Sequence, residues 1–125
     1  MRKYLALLMF CLPLLTWAQT SNDVTFIVDM RDYSGSYTTV NLNGDFNSWC
    51  GTCNPMSDPE GDSIWTVTLP LTSDSIEYKF TLDGWTGQES LTSGSACTKT
   101  TGIYTNRFAV LNGDTILDGV AWEDC

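Results

Sequence analysis

From Val24 the chain alternates apolar and polar positions, with Val24, Phe26, Val28 and Met30 all of one parity. A repeat of two is the signature of a strand that buries one face. The same alternation returns at Val40 and Leu42, at Trp65, Val67 and Leu69, and most regularly at Ile76, Tyr78, Phe80 and Leu82. Asn43-Gly44, Asp83-Gly84 and Asn112-Gly113 are pairs that accept positive φ. The last of them predicts a tight hairpin between Phe108–Leu111 and Thr115–Val120. The stretches Ser34–Thr39 and Ser90–Thr101 read as polar loops, and no segment carries a long amphipathic helical pattern. One sheet with a single apolar face must cover it with another sheet. The prediction is therefore all-β: an immunoglobulin-like, early-set β-sandwich of six to seven short strands.

The N-terminus departs from this pattern. Arg2 and Lys3 precede an apolar run from Leu5 to Leu15, and Thr16-Trp17-Ala18 ends small beside Gln19. That order predicts a secretory signal peptide over residues 1–18 and a single mature domain over 19–125. The apolar run is shorter than the roughly 20 residues of a spanning helix, and Pro13 interrupts it, so no membrane insertion is expected after cleavage. The expected location is secreted, whether periplasmic, cell-surface or extracellular. The predicted mature chain keeps four basic residues against fifteen acidic ones, a net charge of −11. Arg31, Lys79, Lys99 and Arg107 stand far apart, which argues against a nucleic-acid partner, since a polyanion requires clustered cations.

Cys50, Cys53, Cys97 and Cys125 remain after cleavage, and an even number in a small exported domain predicts disulfides. Three pairings are open. Cys50 with Cys53 and Cys97 with Cys125 is favoured, because the second bond ties down the C-terminus.

Four short motifs follow one another: Gly44-Asp45-Phe46-Asn47-Ser48-Trp49, Tyr78-Lys79-Phe80, Asp83-Gly84-Trp85 and Thr105-Asn106-Arg107. In this order, over roughly residues 38–112, the chain resembles modules that bind starch and glycogen. These are the glycogen-binding domain of AMP-activated protein kinase β subunits and the N-terminal domains of isoamylases and branching enzymes. The resemblance implies that Trp49 and Trp85 stack on glucose rings and that Lys79 and Asn106 contact the sugar. It departs from that pattern at Cys50-Gly51-Thr52-Cys53 and after Trp85, and resembles there an exported bacterial variant of the module from secreted proteins of polysaccharide degraders. The residues themselves agree in part. Lys79 shares with Glu77 and Thr81 the face opposite Ile76, Tyr78, Phe80 and Leu82, while Trp49 and Trp85 sit in loops beside Gly, Asn and Asp. Gln88 and Glu89 are further candidates for hydrogen bonds to hydroxyls, with Glu89 counted among the carbohydrate-binding residues. Trp65 and Trp122 read as core.

Other chemistries fit less well. Trp49-Cys50-Gly51-Thr52-Cys53 looks like the thioredoxin active site, but Asn54-Pro55 and the turn-rich Met56–Ser63 do not suit the helix that activates such a thiol. A four-cysteine zinc site has only one close pair of cysteines. Asp58, Glu60 and Asp62 alternate like the start of a calcium loop, yet the distal glutamate is missing, and a solvated hairpin turn accounts for them better. The chain has no histidine, which removes the usual base of serine catalysis and the commonest metal ligand. The expectation is a noncatalytic module without cofactor or metal that binds a polysaccharide or oligosaccharide, an α-glucan or related glucan. A separate polysaccharide-degrading enzyme is a candidate companion. The alternative is a structural or protein-binding sandwich.

Overall fold

The computed structural model describes residue 13 and residues 15–125; most of the predicted signal peptide lies outside the described residues. Eight strands follow in chain order: β1 (Asn22–Asp29), β2 (Val40–Gly44), β3 (Ile64–Leu71), β4 (Ser75–Leu82), β5 (Gly87–Gln88), β6 (Thr98–Thr101), β7 (Tyr104–Val110) and β8 (Thr115–Ala121). One short 3-10 turn over Asp45–Asn47 follows β2. A three-stranded sheet in the order β3-β1-β8 faces a larger sheet in the order β2-β4-β7-β6, with β5 paired to β4. This is the two-sheet, immunoglobulin-like sandwich expected from the alternation.

The core lies where the period of two put it. Val24, Phe26 and Val28 of β1 meet Val40 and Leu42 of β2 and Ile76, Tyr78, Phe80 and Leu82 of β4, all buried. Full burial of such side chains contributes roughly 1.5–3 kcal/mol each. The Phe26 ring meets Tyr78 edge-on at 5.1 Å, an arrangement aromatic quadrupoles favour. Trp65, Val67, Leu69 and Trp122 pack against this cluster while half-buried. Pro70, which has no N–H to give, lies on β3, an edge strand of its sheet.

Four local expectations are corrected. Asn112-Gly113 does not close a hairpin: β7 belongs to the larger sheet, while β8 crosses over and pairs parallel to β1. The turn is real, with Gly113 at φ 75°, but turn chemistry does not say which sheet the next strand joins. Gly44 is extended at φ −170°; its need for glycine is steric, since a Cβ there would lie 2.8 Å from the Glu77 carbonyl. Part of the predicted loop Ser90–Thr101 is strand β6, whose Thr-Lys-Thr-Thr run has no apolar alternation to announce it. Among the described residues the strands number eight, counting the two-residue β5.

Both favoured disulfides are present, with Cα separations of 5.9 Å for Cys50–Cys53 and 5.6 Å for Cys97–Cys125. Two disulfides fit an extracellular location. After Cys53 the chain runs extended, with Pro55 bridged to Asn41 and Ser57 to Thr66, in place of the helix a thioredoxin-like thiol requires. Asp58 accepts hydrogen bonds from the Asp62 and Ser63 amides at 3.1 and 2.9 Å, so its carboxylate organises the turn before β3. No helix among the described residues is long and apolar enough to cross a membrane.

Candidate functional site

The outer face of the larger sheet is built from residues that alternate with the core. On β2 these are Asn41 and Asn43, on β4 Glu77, Lys79 and Thr81, and on β7 Tyr104, Asn106 and Phe108, as the pairings Asn41 with Thr81 and Glu77 with Phe108 require. Asn41, Asn43, Lys79, Thr81 and Asn106 are nevertheless buried. Two loops lie over Asn41, Asn43 and Thr81, and the asparagines hold those loops in place. Asn43 Oδ1 accepts from the Gly51 amide at 2.7 Å while its Nδ2 donates to the Gly51 carbonyl at 3.1 Å and to Thr81 Oγ1 at 2.8 Å. Asn47 accepts from the Gly44 and Trp49 amides and donates to the Leu42 carbonyl and to Asn54 Oδ1. Asn41 accepts from the Gly84 amide. A buried amide side chain that satisfies backbone groups in this way replaces a missing strand partner and fixes the loop.

The first loop carries Trp49 and the second Trp85. Ser48 and Trp49 both have positive φ, 53° and 56°, a conformation rare for such residues and held here by the Asn47 bonds and by the Trp49 amide donating to the Gly44 carbonyl at 3.1 Å. Gly51 has φ 89°, and a Cβ on it would stand 3.0 Å from Trp85 Cδ1, so the backbone must be bare where the indole passes. Trp85 Nε1 donates to the Trp49 carbonyl at 3.2 Å. The two indole centroids are 6.5 Å apart with planes inclined 38°. Asp83 sets the second loop through bonds from the Thr38 and Thr39 amides and the Thr39 hydroxyl. The Thr39 amide is foremost in holding the Asp83 carboxyl below its ordinary range, against a smaller effect of desolvation.

Trp49, Trp85, Lys79 and Asn106 therefore line one open cavity of about 640 Å³, together with Glu77, Gln88, Thr101 and Tyr104. This size is in the range of small-ligand pockets. Four of the five residues singled out from sequence meet here. Glu89 does not. It is 1% exposed, forms an ion pair with Arg107 inside the end of the sandwich, and accepts from the Phe80 and Glu123 amides at 3.0 Å each. Arg107 donates onward to the Asp124 and Ala121 carbonyls at 2.8 and 3.2 Å and stacks its guanidinium over Phe80 at 5.3 Å. Glu89 is thus corrected from a sugar contact to a buried strut joining the Trp85 loop, β7 and the C-terminus. No sequence pattern links it to Arg107, 18 residues away.

The polar lining is partly pre-ordered. Glu77 accepts from Lys99 at 3.0 Å, from Thr101 Oγ1 at 3.2 Å and from Asn106 Nδ2 at 3.3 Å. Burial works to raise the Glu77 pKa, but these three bonds outweigh it, and the carboxyl stays below its ordinary value. Lys79 Nζ donates to Gln88 Oε1 at 3.4 Å. Desolvation lowers the Lys79 pKa, and the charge of Glu89 beneath it opposes that fall. Glu77 was visible as an outward neighbour of Lys79; Tyr104 and Thr101 had no signal beyond their place before Asn106.

A two-sheet sandwich with a shallow, aromatic-edged and polar-floored cavity on one outer face defines a ligand-binding module. The chain belongs to the family of carbohydrate-binding module 48 (isoamylase N-terminal domain), whose model matches residues 19–94, more than half of the chain. A search of the curated proteins finds no match. The family is one of noncatalytic carbohydrate-binding modules, which fits the resemblance in the four motifs.

Proposed function

We propose that residues 19–125 form an exported, noncatalytic module that binds an α-glucan or related glucan, with Trp49 and Trp85 stacking on pyranose faces. Lys79 and Asn106 act as the principal hydrogen-bonding partners of the sugar hydroxyls, with Gln88 beside them. The carrying observation is the pair of indoles 6.5 Å apart and inclined 38° at the edge of a cavity that Lys79, Glu77 and Asn106 line. Indole faces match the apolar C–H faces of sugars, and fixed polar groups set orientation. Inclined platforms suit a chain whose successive rings turn against each other, as in an α-1,4-glucan, better than a flat β-1,4-linked ribbon.

The site is open on one side, so affinity for a single oligosaccharide is expected between roughly 10 μM and 1 mM, and a multivalent polymer is retained more strongly. Affinity electrophoresis in gels containing glycogen, amylose or a β-glucan tests the reading. Retardation by the α-glucans is the expected result. Retardation by the β-glucan alone moves the assignment to another glucan, and no retardation by any of them favours a structural or protein-binding role.

A further inference from the structure

The cavity has a third aromatic residue. Tyr104 opens β7 just after the Gly102-Ile103 turn of the β6–β7 hairpin, and it is 65% exposed while lining the same cavity as Trp49 and Trp85. An aromatic side chain this exposed gains little for the fold. The hairpin that carries it is well anchored. Thr101 pairs with Tyr104 across the strands, the Thr100 and Thr105 hydroxyls bond at 2.9 Å, and Thr101 and Lys99 both bind Glu77. At the hairpin's base the Phe108 amide donates to the Cys97 carbonyl at 2.8 Å, and Cys97 is cross-linked to Cys125. The tyrosine is therefore held by its backbone with its ring left free.

Its place in the sheet separates it from the Trp49 loop. The Trp49 loop follows β2, at one edge of the order β2-β4-β7-β6, and the Tyr104 hairpin forms the other edge. With neighbouring strands about 4.8 Å apart, β2 and β7 are separated by about 10 Å. Between them the cavity is lined by Glu77, Lys79 and Asn106. Resting on the glucan-binding reading above, we propose that Tyr104 forms a separate stacking subsite on the far wall, engaging glucose residues beyond those that cover Trp49 and Trp85. It gives the module a preference for longer glucan chains.

Calorimetric titration of the disulfide-intact protein with maltotriose and with maltoheptaose tests this. Wild type is expected to bind the heptaose more tightly. Tyr104→Ala should weaken heptaose binding about fivefold to tenfold, the loss of one stacked ring, while leaving the triose within about twofold. Tyr104→Phe should restore the heptaose affinity, because the ring face and not the hydroxyl is used. Trp85→Ala should weaken both ligands. If Tyr104→Ala changes neither ligand or both equally while Trp85→Ala weakens both, the separate subsite is wrong and the glucan reading stands. If wild type binds neither saccharide, both fall together. Unchanged thermal melting of Tyr104→Ala is the expected control, and Tyr104→Ser gives a second variant against which any altered melting is judged.

Discussion

The two sheets share one core but have different outer faces. On the three-stranded sheet the described outward residues of β1 and β3 are half-buried or exposed, and Thr25 and Thr68 simply bond each other across the two strands at 2.8 Å. On the larger sheet the outward residues Asn41, Asn43, Lys79, Thr81 and Asn106 are almost wholly buried; Asn41 and Asn43 hold the loops that lie over this face, while Lys79 and Asn106 form part of the cavity floor. Burying polar groups is costly unless each finds a partner. A sheet that buries polar residues on the face away from its core therefore has something to position there, and here it positions Trp49 and Trp85. The first face should tolerate change. The second should not.

Glu89, on neither outer face but anchoring the Trp85 loop from within the sandwich, gives the hardest test of how firmly the second face is supported. Glu89→Ala leaves Arg107 charged and unpaired in the end of the sandwich, a loss of about 3–5 kcal/mol, measured by urea unfolding. Thr68→Ala on the plain face should cost no more than about 0.5 kcal/mol. Equal effects would mean that the ion pair is dispensable and the two ends of the comparison are not distinct. Next in size is the double replacement of Cys97 and Cys125 by serine. It opens a cross-link spanning 28 positions, with an expected cost of about 3.6 kcal/mol on a chain-entropy account. Melting unchanged by this double variant would show that the Arg107 bonds to Ala121 and Asp124 hold the C-terminus unaided.

Trp49→Ala and Trp85→Ala should act on binding rather than folding. Each is expected to lose on the order of 1 kcal/mol of glucan affinity from its exposed apolar face, read as reduced retardation on glycogen, with circular dichroism little changed. Trp65→Ala should do the reverse, destabilising by about 3–5 kcal/mol as an aromatic truncation against the core. If the first two variants unfold the domain, the indoles are structural caps and not platforms.

Much of this architecture was legible because strands with one buried face write a period of two into the sequence. β1, β3 and β4 were readable for that reason. β6 was not, since four residues of Thr-Lys-Thr-Thr present no apolar side, and the crossing of β8 was not, since Asn112-Gly113 turns the chain equally well toward either sheet. In the site, Lys79 announced itself by facing away from Ile76 and Tyr78. Glu89 misled because an acidic residue in a Gly-rich loop reads as solvated, and only the three-dimensional approach of Arg107 makes its burial affordable. Asn43, beside Gly44, looks like a turn former in sequence, and Asn41 carries no signal of its own; their role as substitute backbone partners depends on loops folding back from Gly51 and Gly84.

The smallest expected effect is that of pH on the ordered floor of the cavity. The Glu77 carboxyl lies below its ordinary 4.5 despite the opposing effect of burial, because Lys99, Asn106 and Thr101 bond to it. A carboxylate whose folded pKa is depressed contributes stability that is fully present above the unfolded value and lost as pH falls through the folded one. The ordering of Asn106 and Thr101 around Glu77 should thus be intact down to about pH 4.5 and weaken only below it. Glycogen retardation should accordingly be flat from pH 7 to pH 5 and decline modestly in more acidic gels. The chain has no histidine, so no side chain with an ordinary pKa near 6.5 is available to produce a change in the upper window. Glu77→Gln, which keeps the acceptor oxygen for Asn106 but cannot titrate, should flatten the acid limb while retaining most of the binding at neutral pH. A decline already present between pH 7 and 5, or an acid limb unchanged in Glu77→Gln, would show that Glu77 does not organise this floor.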